Sequence, residues 1–117
     1  MSGSNPIWQQ LEEVIRQRKS APVENSYTAQ LLSGGVDRIG EKILEEAREV
    51  VEAAGEPDDP QHRHLVHEAA DLLFHLCVML GHCDVPIAAV EDELARRFGQ
   101  SGLEEKASRA SRGKNAS

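Results

Sequence analysis

Residues 36 to 54 read VDRIGEKILEEAREVVEAA, and this stretch decides the fold. Val36, Ile39, Ile43, Ala47, Val50, Val51 and Ala54 recur at steps of three and four, which lays them along one face of a helix. Gly55 and the Pro57-Asp58-Asp59-Pro60 turn end it. Downstream, Asp59-Pro60 offers a cap followed by proline at the start of a second helix, with His64 to Gly81 helical and apolar almost all round between Ala69 and Leu80. Such a helix belongs in the middle of a bundle. Upstream, Asn5-Pro6 offers the same start, and Ile7, Trp8, Leu11, Val14 and Ile15 keep helical spacing up to Lys19.

Between these, Ser20 to Gly35 carries Pro22, Asn25, Ser26 and two glycines, so it reads as a long connection with one helical turn over Thr28 to Leu32. Asp84 to Phe98, with Val85, Ile87, Ala88, Val90, Leu94 and Phe98, predicts a further helix stopping at Gly99. Ser101-Gly-Leu-Glu104 has the capping-box pattern of a last short helix. No segment alternates with period two. The expected fold is all-α, a four- to five-helix bundle spanning residues 1–109 as a single domain, with a disordered tail over 110–117.

The chain has 117 residues, enough for a core but small enough that pairing with a copy of itself would bury more apolar surface. Its four aromatics, Trp8, Tyr27, Phe74 and Phe98, leave an aliphatic core, which suits packed helices. A net charge of −7 argues against a nucleic-acid or anionic-membrane partner, since both demand a basic footprint. A phosphate-bearing substrate must then arrive with cations. Cys77 and Cys83 follow no zinc or redox spacing and are too few for a disulfide framework. No secretory leader is visible and the run from Ala69 to Gly81 is too short to span a bilayer, so a soluble cytoplasmic protein is expected.

The chemistry lies in carboxylates. Glu45, Glu46 and Glu49 share one side of the Val36–Ala54 helix, Glu46 at the edge of the apolar stripe. A solvated face is the plain reading, because Lys42 stands three and four residues before Glu45 and Glu46 and can pair with them. The next helix changes the balance: Glu68 and Asp71, three apart, share a face of a helix apolar enough to be buried. An unpaired buried carboxylate costs several kcal/mol, so it requires a base, a proton or a cation. Lys42 or Arg48 can neutralise one, but five acids outnumber the nearby bases. A divalent cation resolves the surplus, and oxygen-only ligands select Mg²⁺ or Mn²⁺ over zinc. Such a cation shares its coordination with a polyphosphate and orients a water for in-line attack.

Glu45-Glu46-Ala-Arg-Glu49, eighteen further residues, then Glu68-Ala-Ala-Asp71 resembles the EExxE…ExxD pattern of the MazG-like all-α nucleotide pyrophosphohydrolases. Ser26-Tyr-Thr-Ala-Gln-Leu-Leu32, Asp37-Arg-Ile-Gly-Glu-Lys42 and Ser101-Gly-Leu-Glu-Glu-Lys-Ala-Ser-Arg109 look, within that superfamily, like the phosphoribosyl-ATP pyrophosphohydrolase family. The similarity covers most of residues 7 to 109 and nothing departs from the pattern at the acids. It implies hydrolysis of phosphoribosyl-ATP to phosphoribosyl-AMP and pyrophosphate in histidine biosynthesis, by a homodimer or a higher assembly. It also implies that Glu45, Glu46, Glu49, Glu68 and Asp71 are Mg²⁺ ligands or, for one glutamate, the general base.

By the same resemblance Lys106 and Arg109, three apart on one helix face, contact phosphate; otherwise they are a solvated basic tail. Lys42 is either an intrahelical partner of the acids or a phosphate ligand, and Tyr27 a core plug or a substrate contact. His62, His64 and His67 with Cys83 match no zinc spacing, and the paired Glu-x-x-His motifs of a di-iron bundle are missing. His75, four after Asp71, reads as a satisfied bundle histidine able to hydrogen-bond that carboxylate. Two other functions are alternatives, the first of which shares the metal site. A house-cleaning (d)NTP pyrophosphohydrolase lacks the Ser101–Arg109 segment, and a non-catalytic helical dimerisation module needs bases against Glu68 and Asp71.

Overall fold

Four helices make up most of the computed structural model, which describes residues 6–21 and 26–99: α1 (Ile7–Ser20), α2 (Tyr27–Ala54), α3 (Arg63–His82) and α4 (Ile87–Phe98). No strand occurs among the described residues, as the all-α expectation requires. The chain divides into two compact units, Met1–Val85 with α1 to α3 and Pro86–Ser117 with α4. The short helix expected from Ser101 and the tail 110–117 lie outside the described residues.

In the first unit α2 and α3 share the largest interface, and α1 touches both. Tyr27 at the start of α2 meets His75 in the second half of α3, while Glu46 in the second half of α2 meets Glu68 and Asp71 near the start of α3. The two helices therefore run antiparallel. On α2 the buried positions Leu32, Ile39, Glu46 and Ala53 fall seven apart, so a carboxylate occupies one place in an otherwise apolar row. Ile15, Leu31, Ile39 and Val78 are the largest fully enclosed side chains. α1 lies close on α3: a Cβ added at Gly81 would stand 2.5 Å from Ile15 Cγ2. Lys19 closes the far end of α3, its Nζ donating to the carbonyls of Gly81 (3.0 Å) and His82 (2.8 Å) and to Asp84 Oδ1 (2.7 Å).

Three boundaries differ from the sequence expectation. The connection expected over Ser20–Gly35 is largely helix, because Ser26 caps α2 by accepting the Ala29 N–H at 3.1 Å. Gly35, at φ 71 and ψ −165, breaks that helix and lets it restart in a conformation open essentially to glycine alone. α3 begins at Arg63 rather than beside Pro60: Asp59 still caps it, accepting the N–H groups of Arg63 (2.9 Å) and His64 (2.8 Å), but from four and five residues upstream. α4 starts at Ile87, after Pro86; Asp84, with φ 60, belongs instead to the turn that Lys19 holds. Taken alone, α4 carries Ile87, Val90, Leu94 and Phe98 along one side, with Glu93 paired to Arg96 and Arg97 on another.

Candidate metal centre

Glu46 from α2 and Glu68 and Asp71 from α3 converge, one oxygen from each lying within 4.8 Å of the others. Helix geometry brings them there: Glu46 sits in the buried row of α2, and the three-residue step from Glu68 to Asp71 keeps both on the side of α3 that faces it. Glu46 and Glu68 are 7% and 8% exposed, and Oε1 of each is buried without a hydrogen-bond partner in the protein. Two enclosed, unpartnered carboxylate oxygens beside a third acid are a large unfavourable term unless a proton or cation joins them.

The electrostatics show the strain. Burial first, then the neighbouring Glu68, Glu49 and Asp71, push the Glu46 carboxyl up to about 7. Burial works on Glu68 in the same sense, but hydrogen bonding from Glu46 and His64 outweighs it and holds Glu68 below its ordinary value. The donors are all hard carboxylate oxygens, which fits a hard divalent cation. The set can hold a metal ion.

The other expected residues fall around this core. Glu45 points outward, half-exposed, and accepts a hydrogen bond from Lys42 Nζ at 3.0 Å. That bond to Glu45 is the main reason the Lys42 ammonium is held above its ordinary value, against the opposing effect of burial. Glu49 is half-buried and close enough to act on Glu46. Of the five acids, then, the structure gathers Glu46, Glu68 and Asp71 and leaves Glu45 and Glu49 beside them. Lys106 and Arg109 lie outside the described residues.

Tyr27 turns out to be tied to the bundle. Its hydroxyl donates to His75 Nε2 at 2.8 Å and its ring stacks at 6.3 Å on Phe74, while the residue stays 45% exposed. His75 Nδ1 donates to the backbone carbonyl of Asp71 at 2.7 Å, not to its carboxylate, so the histidine is satisfied on both nitrogens and braces the turn that carries Asp71. What sequence reasoning missed is His64. It bridges Glu68 Oε2 (2.9 Å) and Glu56 Oε2 (2.8 Å), hydrogen bonds to both carboxylates holding it above its ordinary pKa. His67 approaches Asp71 Oδ2 at 3.4 Å. Both histidines stand four residues before an acid of the cluster, a spacing visible in the sequence once zinc is set aside.

Known proteins resemble this chain over most of its length. Residues 8–98 match the family model described as phosphoribosyl-ATP pyrophosphohydrolase. The phosphoribosyl-ATP pyrophosphatase of Geobacter sulfurreducens is 49% identical over 109 residues, covering 93% of this chain and 98% of its own length. That of Neisseria meningitidis is 50% identical over 99 residues, 85% of this chain and 90% of its own. That of Rhodopirellula baltica is 46% identical over 99 residues, 85% of this chain and 82% of its own. The matched span contains α1 from its second residue, the whole of α2, α3 and α4, and every acid of the cluster.

Proposed function

This chain belongs to the phosphoribosyl-ATP pyrophosphohydrolase family, and from that premise we propose that it hydrolyses phosphoribosyl-ATP to phosphoribosyl-AMP and pyrophosphate, in histidine biosynthesis. The observation that carries the reading is the pair of buried, unpartnered oxygens, Glu46 Oε1 and Glu68 Oε1, facing Asp71 inside the matched span. Glu46, Glu68 and Asp71 would hold Mg²⁺, for which Mn²⁺ can substitute, with Glu45 and Glu49 completing the acidic set. Bound there, the cation would supply charge neutralisation for the polyphosphate and acidify a water.

The chain's own residues do the rest. Glu49 would take the proton of the attacking water, a role supported by the pairing of Glu45 with Lys42 and by the convergence of the other three acids on the cation position. Water adds to phosphorus, the α–β bridging bond breaks, and pyrophosphate leaves with its electrons. Lys42, Lys106 and Arg109 contact the phosphates, and Tyr27, half-exposed, contacts the nucleotide. The free thiols Cys77 and Cys83 suit a reducing cytoplasm. No single helix among the described residues is long and apolar enough to cross a membrane.

A second copy of the chain covers Leu44 and Val51 on α2 and Val66 and Leu73 on α3. Each pair is seven residues apart and 42–72% exposed in one chain. Pyrophosphate release from phosphoribosyl-ATP, measured with and without Mg²⁺ and against dCTP, dUTP and ATP, tests the function. Mg²⁺-dependent release from phosphoribosyl-ATP alone is expected. Release from the dNTPs would move the chain to the house-cleaning enzymes, and no release would leave a helical interaction module.

A further inference from the structure

A carboxylate that must present one oxygen to a cation has a difficulty of its own, because the last torsion of a glutamate is broad and lets the group swivel. Glu68 is the buried acid at the start of α3, and its two oxygens are treated differently. Oε1 is enclosed without a partner beside Glu46 and Asp71, whereas Oε2 accepts the Nε2–H of His64 at 2.9 Å. His64 is in turn held from its other side, Nδ1 donating to Glu56 Oε2 at 2.8 Å just past the end of α2. Its backbone N–H is fixed as well, donating to Asp59 Oδ2 at 2.8 Å.

We propose that His64, anchored by Glu56, is a positioning residue that locks the swivel of Glu68 and keeps Oε1 turned toward the cation. The proposal rests on reading Glu46, Glu68 and Asp71 as a metal centre. A pair of exposed charged groups would be worth little by itself. Here, however, the Glu68 side chain is only 11% exposed while His64 and Glu56 are each 43% exposed, so the relay runs from solvent into the site. It also joins the end of α2 to the first turn of α3, the two elements that supply the acids. Asp71 has a looser counterpart, with His67 at 3.4 Å and both side chains open to solvent.

The test is Mn²⁺ binding to the full-length protein, followed by the electron paramagnetic resonance of the free ion, with circular dichroism to verify helicity. Relative to the unaltered protein, His64→Ala should weaken Mn²⁺ binding about tenfold, the loss typical when a group supporting a metal ligand is removed. His64→Gln keeps an N–H donor within reach of Glu68 and should recover most of the affinity. Glu56→Ala should weaken binding by less, and should add nothing in the His64→Ala background, because Glu56 acts only through the imidazole. If His64→Ala does not fold, Glu56→Ala and His64→Gln carry the comparison. Unchanged or tighter binding in His64→Ala overturns the proposal, as does a Glu56→Ala effect that persists without His64. Failure of the unaltered protein to bind Mn²⁺ removes the metal centre and this role together, which distinguishes the two failures.

Discussion

At the scale of single residues, the cost of Glu46 is the central fact. Its carboxyl is raised by burial from 4.5 to about 7, so the stability it contributes is full below pH 4.5 and is lost as the pH rises through 7. Glu68 is shifted the other way, and its contribution is lost only as the pH falls below 4.5. The metal-free protein should therefore melt at progressively lower temperature between pH 4.5 and 7. Glu46→Gln should flatten that limb, and added Mg²⁺ should raise the melting temperature more at pH 7.5 than at pH 5. Differential scanning calorimetry across that range measures all three. Turnover separates the acids further: Asp71→Asn should lose Mg²⁺ affinity and activity together, while Glu49→Gln should keep Mg²⁺ affinity within a factor of a few and lose activity by about 10² to 10⁴, the usual contribution of a positioned base. An active Glu49→Gln enzyme would return the proton to another glutamate.

At the scale of elements, α2 does two jobs across one break. Before Gly35 it carries Tyr27, Leu31 and Leu32 against the bundle, and after it the acidic face. The break depends on a backbone conformation that an L-residue adopts only at a cost of about 1–3 kcal/mol. Gly35→Ala should lower stability by that amount in urea unfolding, while Gly40→Ala, where an added Cβ meets nothing within 4 Å, should be neutral or stabilising. α3 shows why helix ends matter to a site. Asp59 holds the first N–H groups of the turn that leads to Glu68, and Lys19 holds the carbonyls at the other end, so the helix is fastened at both ends.

At the scale of the whole molecule, a net charge of −7 and an acidic site are reconciled with a polyanionic substrate only if cations accompany it. The proposed second copy belongs to the same scale. Leu44, Val51, Val66 and Leu73 leave apolar rows on both helices of the site, the surface the proposed second copy would cover. Leu73→Glu should shift the protein to monomers in sedimentation velocity and make its melting temperature independent of concentration; a monomeric unaltered protein would dismiss the second copy.

The sequence by itself determined the helical class, the family and which acids are candidates for the site. Helical periodicity is a local property of spacing, and the acids are chemically distinctive at Glu45-Glu46-Ala-Arg-Glu49 and Glu68-Ala-Ala-Asp71. What it left open is non-local. Whether Glu45 or Glu46 turns inward depends on how α2 lies on α3, since two adjacent helix positions differ by about 100° and only packing selects between them. The early start of α2 depended on Ser26 acting as a cap and on Gly35 absorbing the break, where composition alone suggested a loop. The partner of His75 proved to be Tyr27, forty-eight positions away, and Lys19 reaches sixty-five positions to Asp84. In the bridge from Glu56 through His64 to Glu68, the His64–Glu68 step follows from helical spacing, whereas the Glu56–His64 step exists only once the turn between α2 and α3 has folded back. Hydrogen bonds between groups this far apart in the chain are set by tertiary packing, and spacing in the sequence does not encode them.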